Sequence, residues 1–153
     1  MNKRLTEDFN LSEFTNSQYA VRHNINNQPN DYELANIINI TAPTMQKIRD
    51  LLGAPVHITS GYRCYALNRA IGGSGTSAHM SGLAVDFVAP RAGTPKEVAE
   101  ELKRHVKDLR IDQLINEGQW VHVGFAAPNK QPRNEVMTAR FIKGKPTYEK
   151  GIV

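Results

Sequence analysis

The sequence predicts an α+β fold, a small antiparallel sheet flanked by helices, on three observations. Few segments keep the helical spacing of apolar residues. Several shorter runs are rich in β-branched and aromatic residues and are bounded by Gly, Pro or Asn. Strands and helices do not alternate regularly, which argues against a parallel, doubly wound sheet. The chain of 153 residues suits one domain with one core, and its 40% hydrophobic and 22% charged content is ordinary for a globular protein.

Residues 1–31 are polar and rich in Asn, and read as an N-terminal arm that Phe9, Leu11 and Phe14 anchor on the body. From Tyr32 to Leu52, Leu34, Ile37, Ile38, Met45, Ile48 and Leu52 fall near helical spacing. Pro43 lies inside that pattern and predicts a kink or a break. Gly53, followed by Pro55, ends the helix. Val56–Thr59 reads as a short strand. The segment from Gly61 to Gly82 is irregular, with a short helical turn around Ala66–Ile71. Leu83–Val88 is a strand. Thr94-Pro95-Lys96-Glu97 is a capping box with proline at the first helical position, and it opens a helix with Val98, Leu102 and Val106 on one face. Ile111–Asn116 and Trp120–Phe125 are separated only by Glu117, Gly118 and Gln119, which predicts an antiparallel hairpin. The tail from Ala126 is rich in Pro, Asn and Lys and offers one more strand at Thr138–Ile142.

Composition excludes several classes. The net charge of +4 and pI near 9.3 suit a polyanionic partner such as a bacterial cell wall. No block of like charge and no basic stripe with aromatics is present, so nucleic acid is not an expected partner. The single cysteine, Cys64, forms no internal disulfide and excludes a C-x-x-C zinc site. The stretch MNKRLTEDFNLSEF has no apolar core of a secretory signal, and no run of about 18 apolar residues spans a membrane. The expected location on synthesis is the cytoplasm.

One residue stands out in this frame. Asp86 lies inside Leu83-Ala84-Val85-Asp86-Phe87-Val88, and a carboxylate buried without a partner costs several kcal/mol. Strand alternation puts Ala84, Asp86 and Val88 on one face and Leu83, Val85 and Phe87 on the other. In Trp120-Val121-His122-Val123-Gly124-Phe125 the same alternation separates His122 from Val121, Val123 and Phe125. His79 precedes Asp86 on a loop of small residues, where Gly72, Gly73, Gly75 and Gly82 let the backbone bend and approach closely. Two histidines and a carboxylate from separate elements match the donors zinc accepts, and three protein ligands leave a fourth position open for water. The competing reading is a satisfied histidine and a solvent-facing aspartate; H-E-x-x-H is absent. Gly72–Ser77 lacks the G-K-[ST] ending of a phosphate loop, and Cys64 reads as a small buried residue rather than a nucleophile.

Ser60-Gly61-Tyr62-Arg63, Leu67-Asn68, Gly72-Gly73-Ser74, the S-x-H-x-x-G-x-A-x-D run from Ser77 to Asp86, and the later Trp120-Val121-His122 together resemble the M15 family of zinc peptidases. These are the D-alanyl-D-alanine carboxypeptidases and related peptidoglycan endopeptidases. Phe9-x-Leu11-Ser12-Glu13-Phe14 also resembles the arm of the small branch common in phages and prophages. The resemblance covers roughly residues 9 to 125. It implies a hedgehog/D-Ala-D-Ala peptidase-like fold and one zinc ion held by His79, Asp86 and His122. Arg63 matches the arginine these enzymes place near substrate, where its guanidinium can pair with a carboxylate. Ser77 either bonds substrate or orders its loop.

Relatives carry the general base as an acid shortly before the last histidine. The position three residues before it is Gln119 here, which takes no proton. Glu117 is the nearest acid. If Gly118-Gln119 is a two-residue turn, Glu117 pairs with Trp120 on the face of His122, about 7–8 Å from it along the diagonal. Glu117 is therefore the expected base, with Asp112 the alternative. The implied reaction is metal-assisted hydrolysis of peptidoglycan stem peptides or cross-links, with Arg63 orienting substrate and Glu117 moving the proton to the leaving amine. The rival expectation is a non-catalytic wall-binding or phage structural module of the same fold. A monomer is the expected state, and release to the cell wall would follow if the protein serves phage lysis or a phage tail.

Overall fold

The break expected at Pro43 takes the form of a change in helical winding. In the computed structural model, which describes residues 2–153, α3 (Asp31–Asn36) runs into one π-helical turn (Ile37–Thr41) and on into α4 (Ala42–Leu52). Proline donates no backbone hydrogen bond and its ring crowds the preceding turn. The wider turn just before it accommodates that mismatch, and α-helical winding resumes at Ala42. Asn30 starts α3 with a capping box to Glu33, and Gly53 ends α4 at φ 63°.

The remaining helices are short: α1 (Leu11–Thr15), α2 (Gln18–Arg22), α5 (Tyr65–Ala70) and α6 (Pro95–Lys103). In α6 the predicted capping box is present, with Thr94 Oγ1 accepting from the Glu97 amide at 3.2 Å and Glu97 Oε1 accepting from the Thr94 amide at 3.0 Å. The helix stops at Lys103, so Val106 packs on the core from a following turn instead.

Six strands form one sheet in the order β1-β2-β4-β3-β5-β6: β1 (His57–Ser60), β2 (Ala84–Val88), β3 (Ile111–Asn116), β4 (Val121–Phe125), β5 (Glu135–Ile142) and β6 (Lys145–Lys150). The α+β class and the β3–β4 hairpin are as predicted. Two features are additional. β5 pairs with β3 in parallel, and β6, unpredicted, returns antiparallel along β5. The parallel pair is possible because residues 126–134 carry the chain back across the sheet before β5 starts.

One face of the sheet is the core. Val85, Phe87, Leu114, Val121 and Val123 are buried there with Met45 and Ile48 of α4 and Val98, Ala99 and Leu102 of α6. Each of the larger side chains contributes about 1.5–3 kcal/mol by leaving water. Phe9 and Phe14 join the same cluster, with Leu11 half-buried beside them. By strand register, Asp86, His122, Ile115 and Met137 form a row on the opposite face. No helix among the described residues is long and apolar enough to cross a membrane.

Candidate metal centre

Two of the three predicted donors come from adjacent strands. Asp86 on β2 stands directly opposite His122 on β4. The third comes from a loop whose conformation is fixed from behind. Ala78–Ser81 forms a single 3₁₀ turn, opened by Ser77, whose Oγ accepts from the His79 amide at 3.2 Å. The turn ends at Gly82, at φ 73°. A side chain there would be strained by the backbone, and its Cβ would lie 2.7 Å from the Glu33 carbonyl oxygen. That close approach brings the loop against the helix. Asn36 Nδ2 donates to the Ser81 carbonyl at 2.9 Å and Thr41 Oγ1 donates to the Gly82 carbonyl at 2.5 Å. Both polar residues are buried, one just before the π turn and one at its end.

The result is a tight cluster. One donor atom from each of His79, Asp86 and His122 lies within 4.8 Å of the others. His122 Nδ1 is 2.8 Å from Asp86 Oδ1, and His79 Nε2 is 3.4 Å from the same oxygen. His79 Nδ1–H donates to the Gly61 carbonyl at 2.7 Å. In the neutral ring that bond leaves Nε2 with a lone pair and no proton to give, so its approach to Asp86 is not a hydrogen bond. His79 Nε2 is buried and has no hydrogen-bond partner among the described residues. A buried nitrogen lone pair without a partner is costly unless something with a positive charge meets it. The donor set of two imidazoles and one carboxylate suits zinc, so the residues present fit that ion.

Protonation states agree with this fit. Burial lowers the His79 pKa, against the opposing pull of Asp86, and keeps the ring neutral as a ligand must be. Burial alone would raise the Asp86 pKa, but the hydrogen bond from His122 and the closeness of the two imidazoles outweigh it and hold the carboxyl well below the usual carboxylate range.

These donors line a cleft of about 570 Å³. Arg63 and Ser77 line it too, as does Glu117. Arg63 is placed by its backbone: its amide donates to the His79 carbonyl at 3.1 Å, and Asn27 brackets it by bonding the Tyr62 carbonyl and the Cys64 amide. Its Nε is buried with no hydrogen-bond partner among the described residues. Burial lowers the Arg63 pKa while Asp86 opposes that shift. The Glu117 amide donates to the Trp120 carbonyl at 3.0 Å, the pairing expected of a tight turn. Burial raises the Glu117 pKa, His122 opposes this, and Asp86 adds to it. Gln119 is exposed and does not line the cleft. Asp112 lines the cleft but is engaged with Arg133, which reaches it through Nη2 at 2.9 Å and its own amide at 2.8 Å. A larger cleft of about 640 Å³ opens on the other side of Arg63, against the arm and β1. It contains no cluster of ligating side chains among the described residues, so the smaller cleft is the chemical one.

Sequence reasoning did not reach Arg133, Met137 and Tyr148, which also line the cleft. They come from the tail. The available signal was Ile142-Lys143-Gly144-Lys145, where Lys143 and Gly144 both have positive φ and reverse the chain between β5 and β6.

A family model described as Peptidase M15 matches residues 7–124. No curated protein matches the chain.

Proposed function

The chain belongs to the peptidase M15 family, and from that premise we propose that it is a zinc-dependent peptidase cutting peptide bonds in peptidoglycan stem peptides or cross-links. Peptidases of this family depend on zinc. The observation that carries the reading is the unpartnered Nε2 of His79, gathered with Asp86 and His122 at the base of a cleft that Glu117 and Arg63 also line. In this reading the arm and the C-terminal hairpin belong to the same peptidase unit.

His79, Asp86 and His122 would hold the ion. When bound, zinc supplies Lewis acidity, polarising a carbonyl oxygen and making water nucleophilic near neutral pH. The chain's own residues do the rest. Glu117, its pKa raised by burial, accepts a proton from water and returns it to the leaving amine. Arg63 meets a carboxylate or carbonyl oxygen of the substrate, which gives its buried Nε side a charged partner. Ser77 orders the loop beneath His79, and its place in the cleft wall also suits a hydrogen bond to substrate. The mildly basic chain suits an anionic wall.

Digestion of purified peptidoglycan by zinc-loaded protein tests this reading, with mass spectrometry of the products. New amino termini or released D-alanine are expected, and which of them forms distinguishes endopeptidase from carboxypeptidase. Binding to the wall with no new termini would instead favour a wall-binding module.

A further inference from the structure

The cleft is chemically polarised along the sheet. One flank is the loop before His79, with Ser74, Thr76 and Ser77, and Arg63 lines the cleft as well. The other flank is built by Ile115, Trp120, Met137 and Tyr148. Met137 stands beside Ile115 across the parallel β3–β5 pair, and Tyr148 stands opposite Ala139, the next residue on the same face of β5. Tyr148 is 50% exposed, so half of its surface is open to an incoming group. Glu117 lines the same cleft, and after burial its carboxylate is the next influence that raises the Tyr148 pKa. From β2 to β5 is three strand spacings in the sheet order, roughly 14 Å, or about four extended residues of peptide. The hairpin lies outside residues 7–124, the part matched by the family model.

We infer that the β5–β6 hairpin is the specificity end of the cleft, where Tyr148 and Met137 receive an apolar residue of the peptide on the Glu117 side. The inference rests on the peptidase reading above. Against Met137 and the ring of Tyr148 a charged side chain gives up hydration without gaining an ion pair from either. An apolar residue gains by burial against the ring and the thioether.

Steady-state hydrolysis of muropeptides by zinc-loaded wild type, Tyr148→Ala, Tyr148→Phe and Met137→Ser tests it. Tyr148 lies on an edge hairpin and is half exposed, so zinc content and melting temperature should stay at the wild-type values. The expected result is a KM raised roughly 5- to 10-fold in Tyr148→Ala and Met137→Ser with kcat within about twofold, and Tyr148→Phe close to wild type. Wild-type KM in Tyr148→Ala overturns the inference, as does a loss confined to kcat or a Tyr148→Phe as impaired as Tyr148→Ala. A wild-type protein that leaves peptidoglycan intact overturns the peptidase reading and this inference together, whereas an active wild type with an indifferent Tyr148→Ala overturns this one alone.

Discussion

His79 donates from Nδ1–H to the Gly61 carbonyl at 2.7 Å, and that bond decides which of its nitrogens can meet a metal. Gly61 is held in turn by the arm. The next amide, Tyr62 N–H, donates to the Phe14 carbonyl at 2.6 Å, and a Cβ on Gly61 would lie 2.4 Å from that same oxygen. The ring orientation therefore depends on contacts that begin at Phe14. Such outer partners fix the tautomer and aim of a ligand histidine.

His79→Ala and His122→Ala should each reduce bound zinc from about one ion per chain to a small fraction of that, and abolish hydrolysis. Elemental analysis of the purified variants checks this. Stoichiometric zinc in both variants would end the assignment of these two residues as ligands.

Glu117→Gln should keep zinc and lose roughly 10²- to 10⁴-fold in kcat, the range for loss of a positioned acid–base group. Adding Gln119→Glu to that variant should restore nothing, because Gln119 is exposed and does not line the cleft. Recovery of turnover in the double variant would move the proton carrier to position 119.

Gly82→Ala should destabilise the protein by roughly 2–4 kcal/mol, since the positive φ and the contact with the Glu33 carbonyl act together. Because Gly82 follows the turn that carries His79, zinc affinity should fall as well. Urea denaturation and a competition titration with a chelator measure the two effects. A variant as stable as wild type would mean that the loop has room the close packing denies.

Asp112 gives a stability contribution that depends on pH. Burial alone would raise its pKa, but hydrogen bonds and charge from Arg133 outweigh it and hold the carboxyl below its ordinary value. A depressed folded value means the contribution is fully present above the unfolded value, near ~3.9, and is lost as pH falls through the lower folded one. Asp112→Asn should therefore be less stable than wild type at pH 7, with the gap closing below about pH 4. The pair is partly exposed and the effect will be modest. Urea denaturation at pH 7, 4 and 3 reads it, and a gap that does not change with pH would remove Arg133 as its cause.

Where a residue's role follows from local periodicity, the sequence was readable. Asp86 and His122 each sit in a short strand of otherwise uncharged, mostly apolar residues, so strand alternation gave the face of each within its own strand, and the β2–β4 register puts the two side by side. The capping box at Thr94 and the stop at Gly53 were equally local. The polar residues that set the loop were not readable. Asn36, Thr41 and Asn27 look like ordinary members of a helix or of an Asn-rich arm, and their hydrogen bonds reach 45, 41 and 35 residues along the chain. β6 escaped for another reason. Lys145-Pro146-Thr147-Tyr148-Glu149-Lys150 is exposed at every position and mostly polar, so no hydrophobic alternation marks it. Proline and lysine are what an edge strand carries to discourage further pairing. Tyr148 entered the cleft through that unmarked strand.

The parallel pairing of β5 with β3 has a consequence for the order of assembly. His79, Asp86, Glu117 and His122 all precede residue 126, whereas Arg133, Met137 and Tyr148 follow it. The residues gathered around His79 are therefore synthesised before one flank of the cleft. The hairpin is local in sequence and closes on itself through a two-residue turn, with β5 paired to β3. The flank that Met137 and Tyr148 add is thus carried by a self-contained piece at the end of the chain, separate in sequence from the segments that bring His79, Asp86 and His122 together.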